Sequence, residues 1–204
     1  MSDHLVIGVT GGSGCGKTTF GMLLSERYGA RFLDADAIYH EMLRTDSGLR
    51  AALAEIFGAE LLLEDGIDRR ALAARVFDDP AELNRLNAVT HPRVCARIRA
   101  EVADAPEKIV CIDAFGLFES GLDALCDRTV GVLAKREARI ARIVTRDGIS
   151  PDAAAARVDA QKPDRFFRER CTDLLENNGT ESEFTAACVA LCEKLIEKDG
   201  NCHV

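Results

Sequence analysis

Gly11-Gly12-Ser13-Gly14-Cys15-Gly16-Lys17-Thr18-Thr19 is the stretch of this chain whose residue types and spacing can do chemistry. A glycine, four intervening residues and then Gly-Lys-Thr form the phosphate-binding P-loop pattern. Glycines let the backbone curl so that successive N–H groups point inward at an anion, where a Cβ would intrude. A helix opening at Lys17 adds unpaired N–H donors and the positive end of its dipole to the same spot. Lys17 is then placed to reach the β- and γ-phosphates, and the Thr18 hydroxyl to join the coordination sphere of Mg²⁺. The chemistry implied is capture of a nucleoside triphosphate, with Gly12, Ser13, Gly14, Cys15, Gly16, Lys17, Thr18 and Thr19 as the nucleotide-binding set.

Carboxylates supply the second half of such chemistry. Asp34-Ala35-Asp36 follows a short apolar run, and strand ends at the carboxyl edge of a parallel sheet are where ligands bind in open α/β folds. A helix beginning after Asp36 puts His40 one turn further on the same face. The plainer reading of Asp-Ala-Asp is helix N-capping. Asp113 ends a second apolar run, Ile109-Val110-Cys111-Ile112. That is the usual shape of the carboxylate that orders Mg²⁺ directly or through water, so Thr18 and Asp113 form the expected metal pair. Residues 135–170 hold ten Lys or Arg against six Asp or Glu, a local +4 in a chain whose net charge is −8. Arg139, Arg142 and Arg146 recur there at helical spacing, which fits a lid facing an anion as well as an ordinary solvated helix face.

The elements needed to position these groups alternate. Residues 5–9 read as a buried strand, 18–28 as a helix stopped by Gly29, and 31–33 as a second strand. Helical spacing returns over 37–43 and then over 47–57, 68–77, 80–88 and 92–103, a helical insertion with no strand of its own. Thr90-His91-Pro92 marks a helix start, because proline is favoured in a first turn. Strands follow at 108–112 and 128–133, a helix at 135–146, one capped by Ser150-Pro151, and a short one after Lys162-Pro163. A weak fifth strand at 172–175 and a final helix over 181–198 complete the chain. The class is α/β: a P-loop NTPase three-layer sandwich around a five-stranded parallel sheet. The expected division is a core of about 1–36, 105–134 and 171–204, a helical insertion of about 37–104, and a helical lid of about 135–170.

Composition bounds the rest. The chain has 204 residues, enough for one domain with a full core and an inserted part. Its acidity argues against a general nucleic-acid surface. No apolar run reaches the ~18 residues that a membrane span needs. With its first strand opening at Leu5 the chain leaves no room for a secretory signal, so a cytoplasmic protein is expected. Eight cysteines without a CxxC pair are expected to be reduced and in part packed as small hydrophobes. Cys188 and Cys192, with Cys202-His203, would make at most an adventitious zinc site. Cys15 lies where a helix N-terminus would acidify a thiol, although a small packed residue is the favoured reading.

Taken together the residues resemble the dephospho-CoA kinase family. The matching stretches are Gly8 to Thr18, Asp34 to His40, Asp65-Gly66-Ile67-Asp68-Arg69-Arg70-Ala71-Leu72, Val76-Phe77, Leu86-Asn87 and His91-Pro92. They continue with Leu117-Phe118-Glu119-Ser120-Gly121, Arg142, Arg146-Asp147, Ala160-Gln161 and Asn177-Asn178-Gly179. The resemblance implies transfer of the ATP γ-phosphoryl to the ribose 3′-hydroxyl of dephospho-CoA, with Mg²⁺, by a monomer or weak homo-oligomer. It implies catalytic roles for Lys17, Asp36 and Arg142, with Arg146 beside them and Asn177 in the loop that contacts adenine. It assigns the acceptor to the helical insertion and its surroundings: Asp34, Asp36, His40, Arg69, His91 and Phe118. The chain departs from the family pattern at Phe115-Gly116, at Leu133, at Arg139 where a glutamine is usual, and at Cys15 where serine is usual. A kinase of another small acceptor stays open, since the loop is similar to that of the uridine kinases, as does a catalytically silent nucleotide-binding paralogue. The chain has no Asn-Lys-x-Asp guanine motif.

Overall fold

Six consecutive buried residues, Leu5–Thr10, form β1, and everything in the nucleotide half is built outward from it. The computed structural model describes residues 4–76 and 79–200. Strand β1 ends in the glycine loop, and α1 (Lys17–Tyr28) begins inside the motif, closed by Gly29 in the left-handed conformation. Strand β2 (Arg31–Asp34) lies at one edge of the sheet.

The 34–103 part is a compact unit by itself. Its helices are α2 (Ala35–Thr45), capped by Asp34, and α3 (Ser47–Phe57), capped by Asp46. A single 3₁₀ turn (Ala59–Leu61) leads into a small antiparallel hairpin of β3 (Leu62–Leu63) and β4 (Gly66–Ile67). Helices α4 (Arg69–Val76) and α5 (Pro80–Ala103) complete the unit. Leu43, Leu49, Leu53, Phe57, Leu61, Leu72 and Ile98 are buried in it.

Two sequence expectations need correcting here. The insertion does contain strands: the β3–β4 hairpin pairs only Leu62 with Ile67 and Leu63 with Gly66, too short a run to show the period-2 alternation of a strand. Residues 80–88 and 92–103 are also not two helices, because α5 runs straight through Pro92. Proline lacks the N–H that would bond the carbonyl four residues back and crowds that turn. The carbonyl it leaves without that partner is that of Ala88; side chains bond nearby carbonyls instead, Arg93 that of Val89 (3.2 Å) and the Thr90 hydroxyl that of Leu86 (2.9 Å). Thr90, Val94, Cys95, Ile98 and Val102 form a continuous buried stripe, and packing along it outweighs the local break.

The nucleotide half resumes with β5 (Ile109–Asp113), a 3₁₀ turn at Leu122–Leu125, and β6 (Arg128–Leu133). Helices α6 (Arg136–Asp147), α7 (Pro151–Asp159) and α8 (Asp164–Arg170) follow. Strand β7 (Asp173–Glu176) and helix α9 (Glu181–Gly200) end the described chain. Ser150 caps α7 through its hydroxyl, as the Ser-Pro pair suggests. The sheet order is β2-β5-β1-β6-β7, with β1 parallel to β5 and β6, and β6 parallel to β7. Strand β1 therefore lies at the switch point, where its two neighbours open a crevice beyond the carboxyl ends of the strands. On one face Phe20, Leu24, Phe184, Cys188 and Cys192 pack over Ile7, Val9 and Val130. On the other, Gly8 leaves so little room that a Cβ there would come within 2.6 Å of the Cys126 sulfur and 2.9 Å of Leu117. Among the described residues no helix is long and apolar enough to cross a membrane.

Candidate active site

The glycine loop is held by its carbonyls. Lys17 Nζ donates to the Gly12 carbonyl (3.4 Å), Arg139 Nε to that of Ser13 (2.9 Å), Arg142 to that of Gly14 (3.1 Å) and Asn177 Nδ2 to that of Cys15 (2.9 Å). Four successive carbonyls are thereby fixed by side chains, the arrangement that turns neighbouring amides toward an anion. Gly14 and Gly16 take positive φ values of 76° and 109°. A Cβ on Gly16 would sit 2.6 Å from Asn177 Nδ2, and one on Gly14 would sit 2.8 Å from the Arg139 carbonyl, so the close approach requires glycine at both.

At the ends of β1 and β5 the Thr18 hydroxyl donates to Asp113 (2.9 Å), joining the two residues singled out for the metal. Asp113 is buried and Thr18 exposed. A hydroxyl and a carboxylate side by side are hard oxygen donors of the kind Mg²⁺ takes while keeping several waters, so the residues present fit the ion. The notional zinc site is described only in part. Cys188 and Cys192 are buried in the core, Cys202 and His203 lie outside the described residues, and no cluster of three metal-ligating side chains exists among the described ones.

Arg142 and Asn177, expected separately, are brought together. Arg142 donates to the Asn177 carbonyl (3.1 Å) and to its side-chain oxygen (2.9 Å), while the Asn177 N–H donates to Leu133 (2.8 Å). Arg146 instead pairs with Asp147 (2.6 Å), which Arg157 also holds; hydrogen bonding from Arg146 first, then Arg157, lowers the Asp147 carboxyl to about 2. Gln161 is the residue whose part the sequence did not reveal. Its amide bonds Ser13 and Arg139 although it stands 148 residues from the loop, and the only signal for it was the Ala160-Gln161 pair. Phe118 stacks edge-on against Phe166 at 5.9 Å, with Arg170 over both rings. Phe115 is exposed.

Cys15 is buried, and burial raises its thiol pKa in spite of the nearby Lys17 and Arg139 charges. Cys15 thus has the environment of a packed small residue rather than of an acidified thiol. Burial likewise pushes Cys126 and Cys192 up to about 12 and Cys171 and Cys188 to about 11, the condition of inert thiols.

In the 34–103 unit Asp34 accepts the Ala37 N–H (3.0 Å) as the α2 cap, and Asp36 follows in the first turn with an exposed side chain. One turn on, His40 Nε2 lies 2.7 Å from an Arg69 guanidinium nitrogen. Arginine can only donate, so Nε2 is the acceptor and the ring is neutral. The pair borders a cavity of about 220 Å³ lined also by Tyr39, Leu43, Leu72 and Leu86. Two polar recognition groups on an apolar wall suit a small organic ligand. His91 sits within α5 rather than at a helix start and is half-buried. Phe77, part of the matching pattern, lies outside the described residues.

A parallel sheet with β1 at its switch point, a carbonyl-braced glycine loop and a basic helical segment against that loop define a P-loop kinase. Comparison with known proteins narrows the class. The family model described as Dephospho-CoA kinase matches residues 5–183, and the chain belongs to that family. A dephospho-CoA kinase of Anaeromyxobacter dehalogenans is 42% identical over 178 residues, covering 85% of this chain and 84% of that protein. A Thermus thermophilus crystal structure aligns with TM-score 0.78 and 34% identity over 94% of this chain and 98% of that one. The dephospho-CoA kinase of Campylobacter jejuni aligns with TM-score 0.70 and 25% identity over 96% and 99%.

Proposed function

We propose that this protein transfers the γ-phosphoryl group of ATP to the ribose 3′-hydroxyl of dephospho-CoA. The observation that carries the reading is the family match running unbroken through the glycine loop, the 34–103 unit and the basic helices. Phosphoryl transfer is mainly positioning and charge neutralisation, and the roles follow. Residues Gly12 to Thr19 grip the triphosphate, Lys17 reaching its β- and γ-oxygens. Thr18 and Asp113 hold Mg²⁺, which when bound neutralises charge shared by the β- and γ-phosphates. Arg142 and Arg146, on the 135–170 lid, bring positive charge to the transferred group, and Asn177 flanks the base. Asp36 orients the acceptor hydroxyl and takes its proton. Asp34 holds the helix that carries Asp36. His40, Arg69, His91 and Phe118 bind the remainder of the acceptor, so residues 37–104 form the acceptor subdomain and 1–36, 105–134 and 171–204 the core. The protein works in the cytoplasm as a monomer or weak homo-oligomer, without nucleic acid or membrane.

The test is ATP consumption with dephospho-CoA beside uridine, cytidine and shikimate. Turnover is expected with dephospho-CoA alone. Asp36→Asn should lose about 10²–10⁴-fold in kcat, the usual worth of a general base, with ATP affinity largely kept. Turnover on uridine instead would overturn the acceptor, and a fully active Asp36→Asn the role of that carboxylate.

A further inference from the structure

We propose that Gln161 is a positioning residue for phosphoryl transfer, holding Ser13 and Arg139 in one register so that the lid segment and the phosphate loop move as a unit. The proposal rests on the kinase reading above. Gln161 Oε1 accepts the Ser13 N–H (3.0 Å) and a bond from the Arg139 guanidinium, while Nε2 donates to the Ser13 hydroxyl (3.0 Å). Arg139 Nε completes the set by donating to the Ser13 carbonyl (2.9 Å). All three polar groups of Ser13 are thus taken by two side chains from the 135–170 segment. The backbone of Gln161 is itself fixed, its N–H donating to Val158 at the end of α7 (3.2 Å). Arg139 is a buried cation, 7% exposed, and an added Cβ on Gly12 would run into its guanidinium and into the Gln161 amide. The two side chains lie flush on the loop.

The carboxamide accepts twice and donates once here, and an alkyl chain would offer these partners nothing. Without Gln161 the Arg139 charge would be buried with one partner fewer and Ser13 would lose two of its three bonds. The carbonyls of Gly12, Gly14 and Cys15 would keep their own partners, Lys17, Arg142 and Asn177. The loop should therefore still bind diphosphate, while the alignment between loop and basic segment is lost. Misplacement on the ångström scale costs about 10²-fold in rate.

The experiment is a double-mutant cycle on kcat with ADP binding and thermal melting alongside. Gln161→Ala should lower kcat about 10²-fold, with KM for ATP and Kd for ADP within about threefold of the parent. Arg139→Ala/Gln161→Ala should be no more than about threefold slower than the slower single variant, the non-additivity of groups acting through one contact. Ser13→Ala, which removes only the hydroxyl, should lose a smaller factor of about 3–10 and serves if Gln161→Ala does not fold. A kcat for Gln161→Ala within threefold of the parent, losses that multiply in the double variant, or a raised KM for ATP at unchanged kcat would each overturn the proposal. A parent protein inactive on dephospho-CoA would sink the functional reading instead, and the same cycle read in turnover of the acceptor it does use would then decide the role of Gln161.

Discussion

His40 shows how charge is set in the 34–103 unit. Burial first and the Arg69 guanidinium second lower its pKa below the ordinary 6.5, against the pull of Asp36 and Asp34 in the other direction. Protonation is thus disfavoured in the folded state. The His40–Arg69 bond is complete above pH 6.5 and is lost as pH falls through the lowered folded value, because an imidazolium has no lone pair to accept it. A proton NMR titration should place the His40 midpoint below 6.5, and Arg69→Ala should move it upward; a midpoint above 6.5 in the parent would contradict the pairing. At this scale the sequence is legible wherever neighbours in space are neighbours in the chain. Lys17 and Thr18 are named by a contiguous motif, and His40 by one helical turn from Asp36. The bonds of Arg139 and Gln161 to Ser13 span 126 and 148 residues, and no periodicity encodes such a pairing. Cys15 misleads for a different reason: a helix N-terminus favours the thiolate, but complete burial outweighs it.

Elements were readable to the extent that they carry their own signals. Gly29 and Gly148 in left-handed conformations end α1 and α6, and Ser150-Pro151 begins α7. Strand β6 spans Arg128–Leu133, the range its apolar run suggests. Pro92 gives the opposite signal to the truth, since a first-turn preference is only local and the buried stripe of α5 is not. Pro92→Ala should restore the missing N–H and, after the lost chain stiffness is deducted, stabilise by about 1 kcal/mol. For a chain of this size that is a rise in melting temperature of about 2–4 °C. Differential scanning calorimetry measures it, and a fall would mean that the chain stiffness proline supplies outweighs the missing N–H at this turn. The β3–β4 hairpin, two residues a side, is below the length at which alternation carries information.

For the whole molecule a strand as fully buried as β1 must have partners on both sides, and β5 and β6 supply them in the order β2-β5-β1-β6-β7. Strands alternating with helices make that legible before any coordinate, whereas the contacts that give the 34–103 unit its own core do not show in the spacing of its helices. In a chain with net charge −8 the segment α6 to α8 concentrates cations, and on the proposed reading a divalent ion at Thr18 and Asp113 would add to them. Mg²⁺·ATP at 100 times its Kd should therefore stabilise the fold by about 2.7 kcal/mol, or about 5–10 °C in melting temperature. Chelation should remove most of that shift and all turnover, with both restored by Mg²⁺. An equal shift from ATP in EDTA would remove the metal from the account.

The braced loop also has a consequence for synthesis. Its glycines are translated within the first nineteen residues, yet the side chains that fasten Ser13, Gly14 and Cys15 come from Arg139, Arg142 and Asn177. A ribosome-bound chain therefore carries the motif long before it carries the site, and nucleotide cannot template folding from the N-terminus. Only when Asn177, just past β7, has left the exit tunnel does the growing polypeptide acquire its full grip.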